Sequence, residues 1–154
     1  MRRNSPQSID SKIHHNNLIN NILAKIEANI AGADGAVMMD IEGYVSEVNA
    51  TNIFFVSDGK VFTPFADSCL PGITRGIVID LCKEHGIPVA EKRLSMTEMY
   101  TADECFTTGT MGELVHVKEI DGRSIGTRGK GPVTEKLSNL HKELTEKTGE
   151  PLPF

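Results

Sequence analysis

The feature that most narrows the fold is a tight turn, Ser57-Asp58-Gly59-Lys60, set between two apolar stretches. Asp-Gly between runs of β-forming residues is a hairpin signal, because both central residues tolerate positive φ. Asn52-Ile53-Phe54-Phe55-Val56 therefore reads as a buried strand, and Val61-Phe62-Thr63 as its antiparallel return. Further strands are read at residues 36–40, 88–93, 104–108 and 114–120, with turns at Glu42-Gly43 and Asp121-Gly122. Helical spacing appears at Ile19, Ile22, Leu23, Ile26 and Ile30, with Gly32 as a stop. It recurs at Ile73, Ile77 and Leu81 before Gly86, and at Val133, Leu137, Leu140 and Leu144 after Gly131-Pro132. Ser95 with Glu98 forms a capping-box pattern for a short helix. Strands alternate with helices, yet several strands are joined by tight turns. That combination favours an α+β fold with a mixed sheet over a purely parallel one.

Composition sets the class. The 154 residues suffice for one domain with a real core, and 39% hydrophobic content is too high for a disordered chain. A net charge of -5 argues against a sequence-independent grip on nucleic acid. Three cysteines, odd in number and without a CxxC, argue for reduced thiols in a cytoplasmic protein and against zinc or a disulfide framework. No apolar run reaches membrane-spanning length, and the polar start Met1-Arg2-Arg3-Asn4 lacks a signal-peptide core. The expectation is a soluble intracellular protein with no membrane or nucleic-acid partner.

Several residues tempt and are set aside. His14 and His15 are adjacent, so they cannot present one metal-binding face as an i, i+4 pair does. Gly126-Thr127-Arg128-Gly129-Lys130-Gly131 looks like a phosphate cradle but lacks the Lys-Ser or Lys-Thr ending of a P-loop. Met38-Met39 reads as core packing and Lys25 as a solvated helix charge. Arg75 reads equally as a surface charge or as a brace for the turn before it.

Four separated patches carry candidate chemistry. They are Asp10-Ser11-Lys12, read as opening a helix; Tyr44-Val45-Ser46-Glu47, followed by Asn52-Ile53-Phe54; Leu70-Pro71-Gly72-Ile73-Thr74-Arg75; and Thr108-Gly109-Thr110-Met111. Taken in this order and spacing, with the helical run from Asn20 to Lys25 and Thr101-Ala102-Asp103-Glu104, they resemble the class IV pyridoxal-phosphate aminotransferases. That group includes branched-chain and D-amino-acid aminotransferases and aminodeoxychorismate lyase. The resemblance runs from about residue 2 to about residue 145, nearly the whole chain.

The resemblance implies roles that composition alone would not give. Lys12 falls where the family's Schiff-base lysine falls; such an amine must be neutral near pH 7, through burial or a neighbouring positive charge. Glu47 falls where a carboxylate keeps the pyridine nitrogen of pyridoxal 5'-phosphate protonated. Ile73 and Thr74 fall at the phosphate, where free N–H groups at a helix start suit a dianion. Leu70 would pack on the cofactor ring, Thr110 would hold the phosphate, and the amides of Thr110 and Met111 would dock the substrate carboxylate. Without the resemblance, each of these is an ordinary solvated or turn residue. The implied fold is a mixed-sheet pseudo-barrel with flanking helices. The implied reaction moves an amino group from an amino acid, branched-chain by preference, to a 2-oxo acid.

The sequence also departs from the family. Family enzymes are about twice as long, with an N-terminal domain ahead of the lysine. The expectation is an extended entry segment at 1–11, a cofactor-binding C-terminal domain at 12–148, no N-terminal domain, and little turnover by the chain alone. A tyrosine usual five residues after the lysine is Asn17 here, and a Glu-Gly-x-Gly-Glu-Asn segment is replaced by Glu47-Val48-Asn49-Ala50-Thr51-Asn52. Substrate choice within the family therefore stays open, with an aminodeoxychorismate lyase-type reaction or a non-enzymatic truncated domain as alternatives. A surface left bare by a missing domain favours self-association, so a homodimer or higher oligomer is expected.

Overall fold

The Asp58-Gly59 turn adopts the positive-φ pair that its dipeptide predicts, with φ of 50° and 71°. It joins strands β3 (Asn52–Ser57) and β4 (Lys60–Thr63) in antiparallel register, Ser57 facing Lys60 and Phe55 facing Phe62. The structure, a computed structural model, describes residues 1–14, 16–126 and 129–149. His15, Thr127 and Arg128, the second member of the histidine pair and the centre of the 126–131 loop, lie outside the described residues.

In chain order the described elements are α1 (Ile19–Ile30), β1 (Val37–Met39), β2 (Val45–Val48), β3, β4, α2 (Ile73–Glu84), β5 (Val89–Glu91) and α3 (Met96–Tyr100). They continue with β6 (Glu104–Gly109), β7 (Glu113–His116), β8 (Glu119–Ile120), β9 (Arg123–Ser124) and α4 (Pro132–Thr148). A five-stranded sheet has the order β5-β4-β3-β6-β7. The β4–β5 pair is parallel and the other pairs are antiparallel, which is the mixed α+β sheet expected from the turns. The β4–β5 crossover is made by α2.

Alternation divides β3 and β6 between two cores. Phe54 and Val56 of β3, with Phe106 of β6, pack under α2 and α4 against Val78, Leu81, Cys82 and Leu137. The Phe54 and Phe106 rings stack at 5.0 Å. Ile53, Phe55 and Cys105 point the other way, onto Val45, Leu94, Met99 and Ile125. Met38 is fully buried and Met39 packs at the edge of this second cluster, as read from the sequence.

Some expectations need correction. The apolar run at 114–120 is not one strand. β7 follows β6 only as far as His116 opposite Phe106, and β8 then pairs with β9 across the Asp121-Gly122 turn. Helix α2 does not bury Ile73, which is 81% exposed in the first turn. Its inner face is Thr74, Arg75, Val78, Leu81 and Cys82. Arg75 is therefore not a surface charge, and its partners lie outside the 70–74 turn: its Nη2 donates to Pro64 O at 2.8 Å and pairs with Glu91. Lys25 is half-buried, and its Nζ donates to Asp34 O at 2.6 Å beyond the helix end.

Helix α1 has the predicted length but an inverted face. Ala24 and Ala28 are its buried residues, at 0% and 5% exposure. Ile19, Ile22, Leu23, Ile26 and Ile30 all face outward. Small residues inside let the helix lie close to the domain, and the aliphatic stripe that sets the periodicity is left on the surface.

Candidate functional site

Glu47 is the third residue of β2, opposite Met38 in the β1–β2 pair. It is only 4% exposed. One oxygen, Oε2, accepts from Leu70 N at 3.3 Å. The other, Oε1, lies 2.6 Å from Arg3 Nε, an ion pair in which the N–H points off the line of contact. Burial pushes the Glu47 carboxyl above its usual range; the Arg3 charge, the Leu70 amide and Asn21 each pull it back down.

The 70–74 turn is fixed by Asn52 at the start of β3. Asn52 Nδ2 donates to Leu70 O at 2.8 Å. Its Oδ1 lies 2.3 Å from where a Cβ on residue 72 would stand, so any side chain there must displace Asn52. Gly72 is the N-cap of α2, and no side chain caps that helix. The first-turn amides are thus available to an anion, with the positive end of the helix behind them. Thr74 is buried here, while the Ile73 side chain is exposed.

Asn52 faces Thr108 across the β3–β6 pair. The turn that follows, Thr110-Met111-Gly112, is exposed, and Met111 is fully solvent-accessible. A Cβ on Gly109 would sit 3.2 Å from Thr51 Cγ2, so this turn lies over the start of β3. One end of the β3–β6 pair therefore gathers Glu47, the Leu70–Thr74 turn and the Thr110–Met111 turn.

Lys12 is placed differently from the expectation that it opens a helix. It sits in a turn well before α1, exposed, with its own N–H donating to Asp10 Oδ1 at 3.0 Å. Neighbouring Ser11 is buried. Nor is the entry segment extended throughout. Arg2 bridges Met39 and Arg3 N donates to Met39 O at 2.7 Å, after which residues 5–9 turn back on Ser5 O.

Sequence reasoning missed three site residues. Arg3 is read only as part of a polar start, yet it is 9% exposed and pairs with Glu47. Asn21 accepts from Arg3 Nη1 at 2.6 Å and donates to Asn49 O at 2.7 Å. Asn52 is read as the first residue of a strand. Asn21 and Asn52 offer a signal, a polar residue within or flanking an apolar run; Arg3, in a polar start, offers none.

The three cysteines are free and buried. Burial pushes Cys69 up to about 12 and Cys82 up to about 11, and raises Cys105 as well. Among the described residues no cluster of histidine, cysteine and acidic side chains is arranged to hold a metal ion. No helix among them is long and apolar enough to cross a membrane.

Comparison with known proteins places this chain in a family. The family model for amino-transferase class IV matches residues 1–120. The chain is 58% identical over 152 residues to branched-chain-amino-acid aminotransferase-like protein 2 of Arabidopsis thaliana, covering 99% of this chain and 27% of that protein. It is 48% identical over 126 residues to the branched-chain-amino-acid aminotransferase of Pseudomonas aeruginosa, covering 82% of this chain and 41% of the relative. Among solved structures, the branched-chain amino acid aminotransferase of Thermobaculum terrenum in its PLP-bound holo form superimposes with a TM-score of 0.89 at 34% identity, covering 93% of this chain and 48% of that one. The Escherichia coli enzyme gives 0.90 at 38% identity, covering 94% and 50%. The chain thus spans half or less of the length of these relatives.

Proposed function

The chain belongs to the amino-transferase class IV family, and from that premise we propose that it is the cofactor-binding C-terminal domain of a pyridoxal-phosphate aminotransferase. The whole protein would move an amino group from a branched-chain amino acid to a 2-oxo acid. The observation that carries this reading is the meeting of three features at one end of the β3–β6 pair. These are the buried Glu47 carboxylate, the uncapped start of α2 and the Thr110 turn.

These residues fit pyridoxal 5'-phosphate. The amides of Ile73 and Thr74, at a helix start that no side chain caps, would hold its phosphate together with Thr110. Leu70 would pack on the ring, and Glu47 would hold the proton on the ring nitrogen. Lys12 Nζ would anchor the cofactor and, once released, move a proton to and from the substrate carbon. When bound, the cofactor supplies an electron-poor ring that draws off the electron pair left by a departing proton. The amides of Thr110 and Met111 would receive the substrate carboxylate.

Lys12 is exposed, whereas the chemistry needs its amine in a site that excludes water. The relatives' additional length supports a second half that covers it. We therefore propose that this stretch alone turns over little or no substrate. The outward aliphatic face of α1 supports a homodimer or higher oligomer, and three free thiols support a cytoplasmic location.

The test is to add pyridoxal phosphate, reduce with borohydride and map the modified peptide. Label on Lys12 that is absent from Lys12→Ala is the expected outcome. Equal labelling of both proteins would remove Lys12 from the mechanism, and steady transamination by this chain alone would overturn the need for a second half.

A further inference from the structure

We propose that Arg3 and Asn21 are positioning residues that clasp both ends of the Lys12 segment onto the Glu47 carboxylate, making the amine-bearing loop and the carboxylate one unit. The inference rests on the roles of Lys12 and Glu47 given above.

The two residues stand eighteen positions apart, and Lys12 lies midway between them. Arg3 reaches Glu47 with Nε at 2.6 Å and Asn21 Oδ1 with Nη1, also at 2.6 Å. Asn21 uses the other half of its amide to donate to Asn49 O at 2.7 Å, in the turn just after the Glu47 strand. A second crossing sits beside the first. Asn4 N donates to Asn20 Oδ1 at 3.1 Å, and Asn20 Nδ2 donates to Arg2 O at 3.0 Å. The chain from residue 4 to residue 20 is therefore a loop closed at its base, with Lys12 near its tip. Among its described residues the backbone makes short-range turns, such as Ser8 N to Ser5 O at 2.9 Å and Ile13 N to Asp10 O at 3.1 Å. Arg3, Asn4, Asn20 and Asn21 tie the base of this loop to itself and to the Glu47 strand, and Ser11 is buried beside Lys12.

The residue types suit the task. A guanidinium presents a planar fork that binds two partners at once, which an ammonium on a flexible stem does not hold in one geometry. A carboxamide accepts and donates through one rigid group, so Asn21 can receive Arg3 and hold Asn49 together. Two groups that act on different atoms of one ligand must keep a fixed spacing, and small displacements cost large factors in rate.

Hydrogen–deuterium exchange on the intact chain reads the clasp without any cofactor. In Asn21→Ala and in Arg3→Lys, amides in peptides covering residues 5–14 should exchange at least about tenfold faster, a loss of about 1.4 kcal/mol of local protection. Peptides from β3 and β6 should stay as protected as in the native chain. Borohydride trapping of pyridoxal phosphate on Lys12 should slow by a similar factor in both variants. Arg3→Lys keeps a charge beside Glu47, so its melting temperature should hold while trapping falls; a purely structural role would move the two together. If Asn21→Ala also loosens β3, Asn21→Asp, which retains the acceptor for Arg3, takes its place in the comparison. Unchanged loop exchange in these variants overturns the clasp whatever trapping shows. A native chain that never traps the cofactor on Lys12 overturns the functional reading instead.

Discussion

Arg3 Nε lies 2.6 Å from Glu47 Oε1, and the two side chains are 9% and 5% exposed. An arginine near the start of the chain thus neutralises a carboxylate in the second strand, in a place where neither charge meets much water. Burial still outweighs the attraction, so the carboxyl titrates above 4.5. The contribution of this proton to stability is fully present below about pH 4.5 and is lost as pH rises through the folded value. Arg3→Met should move the Glu47 midpoint higher still, measured by carbon-detected NMR of the carboxyl. At neutral pH it should destabilise by about 3 kcal/mol, because it strands a buried charge.

Gly72 and Asn52 should be coupled. Gly72→Ala drives a Cβ into Asn52 Oδ1 and should cost about 1–3 kcal/mol in urea melts. Asn52→Ala removes the obstacle together with the bond to Leu70 O. The double variant should therefore be more stable than the sum of the two single losses, an interaction of about 1 kcal/mol or more.

Glu104 caps α4 from a distance. Its carboxylate accepts from Val133 N at 3.0 Å, Thr134 N at 2.7 Å and Thr134 Oγ1 at 2.6 Å. Glu104→Ala should cost about 3 kcal/mol, on the scale of hydrogen bonds to a charged group. Glu104→Gln, which keeps an acceptor, should cost about 1 kcal/mol. Circular dichroism at 222 nm (about the helical minimum) follows both melts, with α4 as the main reporter.

The capping box at α3 should make stability fall in acid. A hydrogen bond from Lys92, reinforced by the Ser95 backbone, holds the Glu98 carboxyl down to about 2. A depressed carboxyl stabilises above its ordinary value of 4.5 and loses that contribution as pH falls through about 2. Ser95→Ala should cost about 1 kcal/mol at neutral pH. Glu98→Gln should differ from the native chain there, with the difference closing toward pH 2 in thermal melts.

The α1 face gives a solution test. Ile22→Glu with Ile26→Glu places two charges on an exposed stripe and leaves Ala24 and Ala28 in place. Sedimentation should show the native chain as a dimer or larger and the double variant as a monomer with unchanged helicity. A monomeric native chain would refute the association.

The turns were the most legible part of the sequence. Asp58-Gly59 fixed one antiparallel pair, and Ser95 with Glu98 fixed α3, because both signals are local. Helix α1 was legible in period and not in direction. A stripe of isoleucines marks a face to be covered, but periodicity cannot say whether the cover comes from this chain. Glu47 and the Gly72 turn could be named through family resemblance, yet what holds them came only from three dimensions. Arg3 lies 44 residues from Glu47 in the chain and carries no motif of its own, while Asn52 falls in the Asn52-Ile53-Phe54 patch without a role read for it. Their roles arise from long-range closure, which leaves no local pattern to read.

The outward stripe of α1 has a thermal consequence. Its contacts would be aliphatic carbon against whatever covers it, a force that weakens as water cools. The domain beneath is held in addition by ion pairs, sheet bonds and stacked rings. Chilling should therefore part α1 from its cover while the domain itself stays folded, and rewarming should bring the two together again.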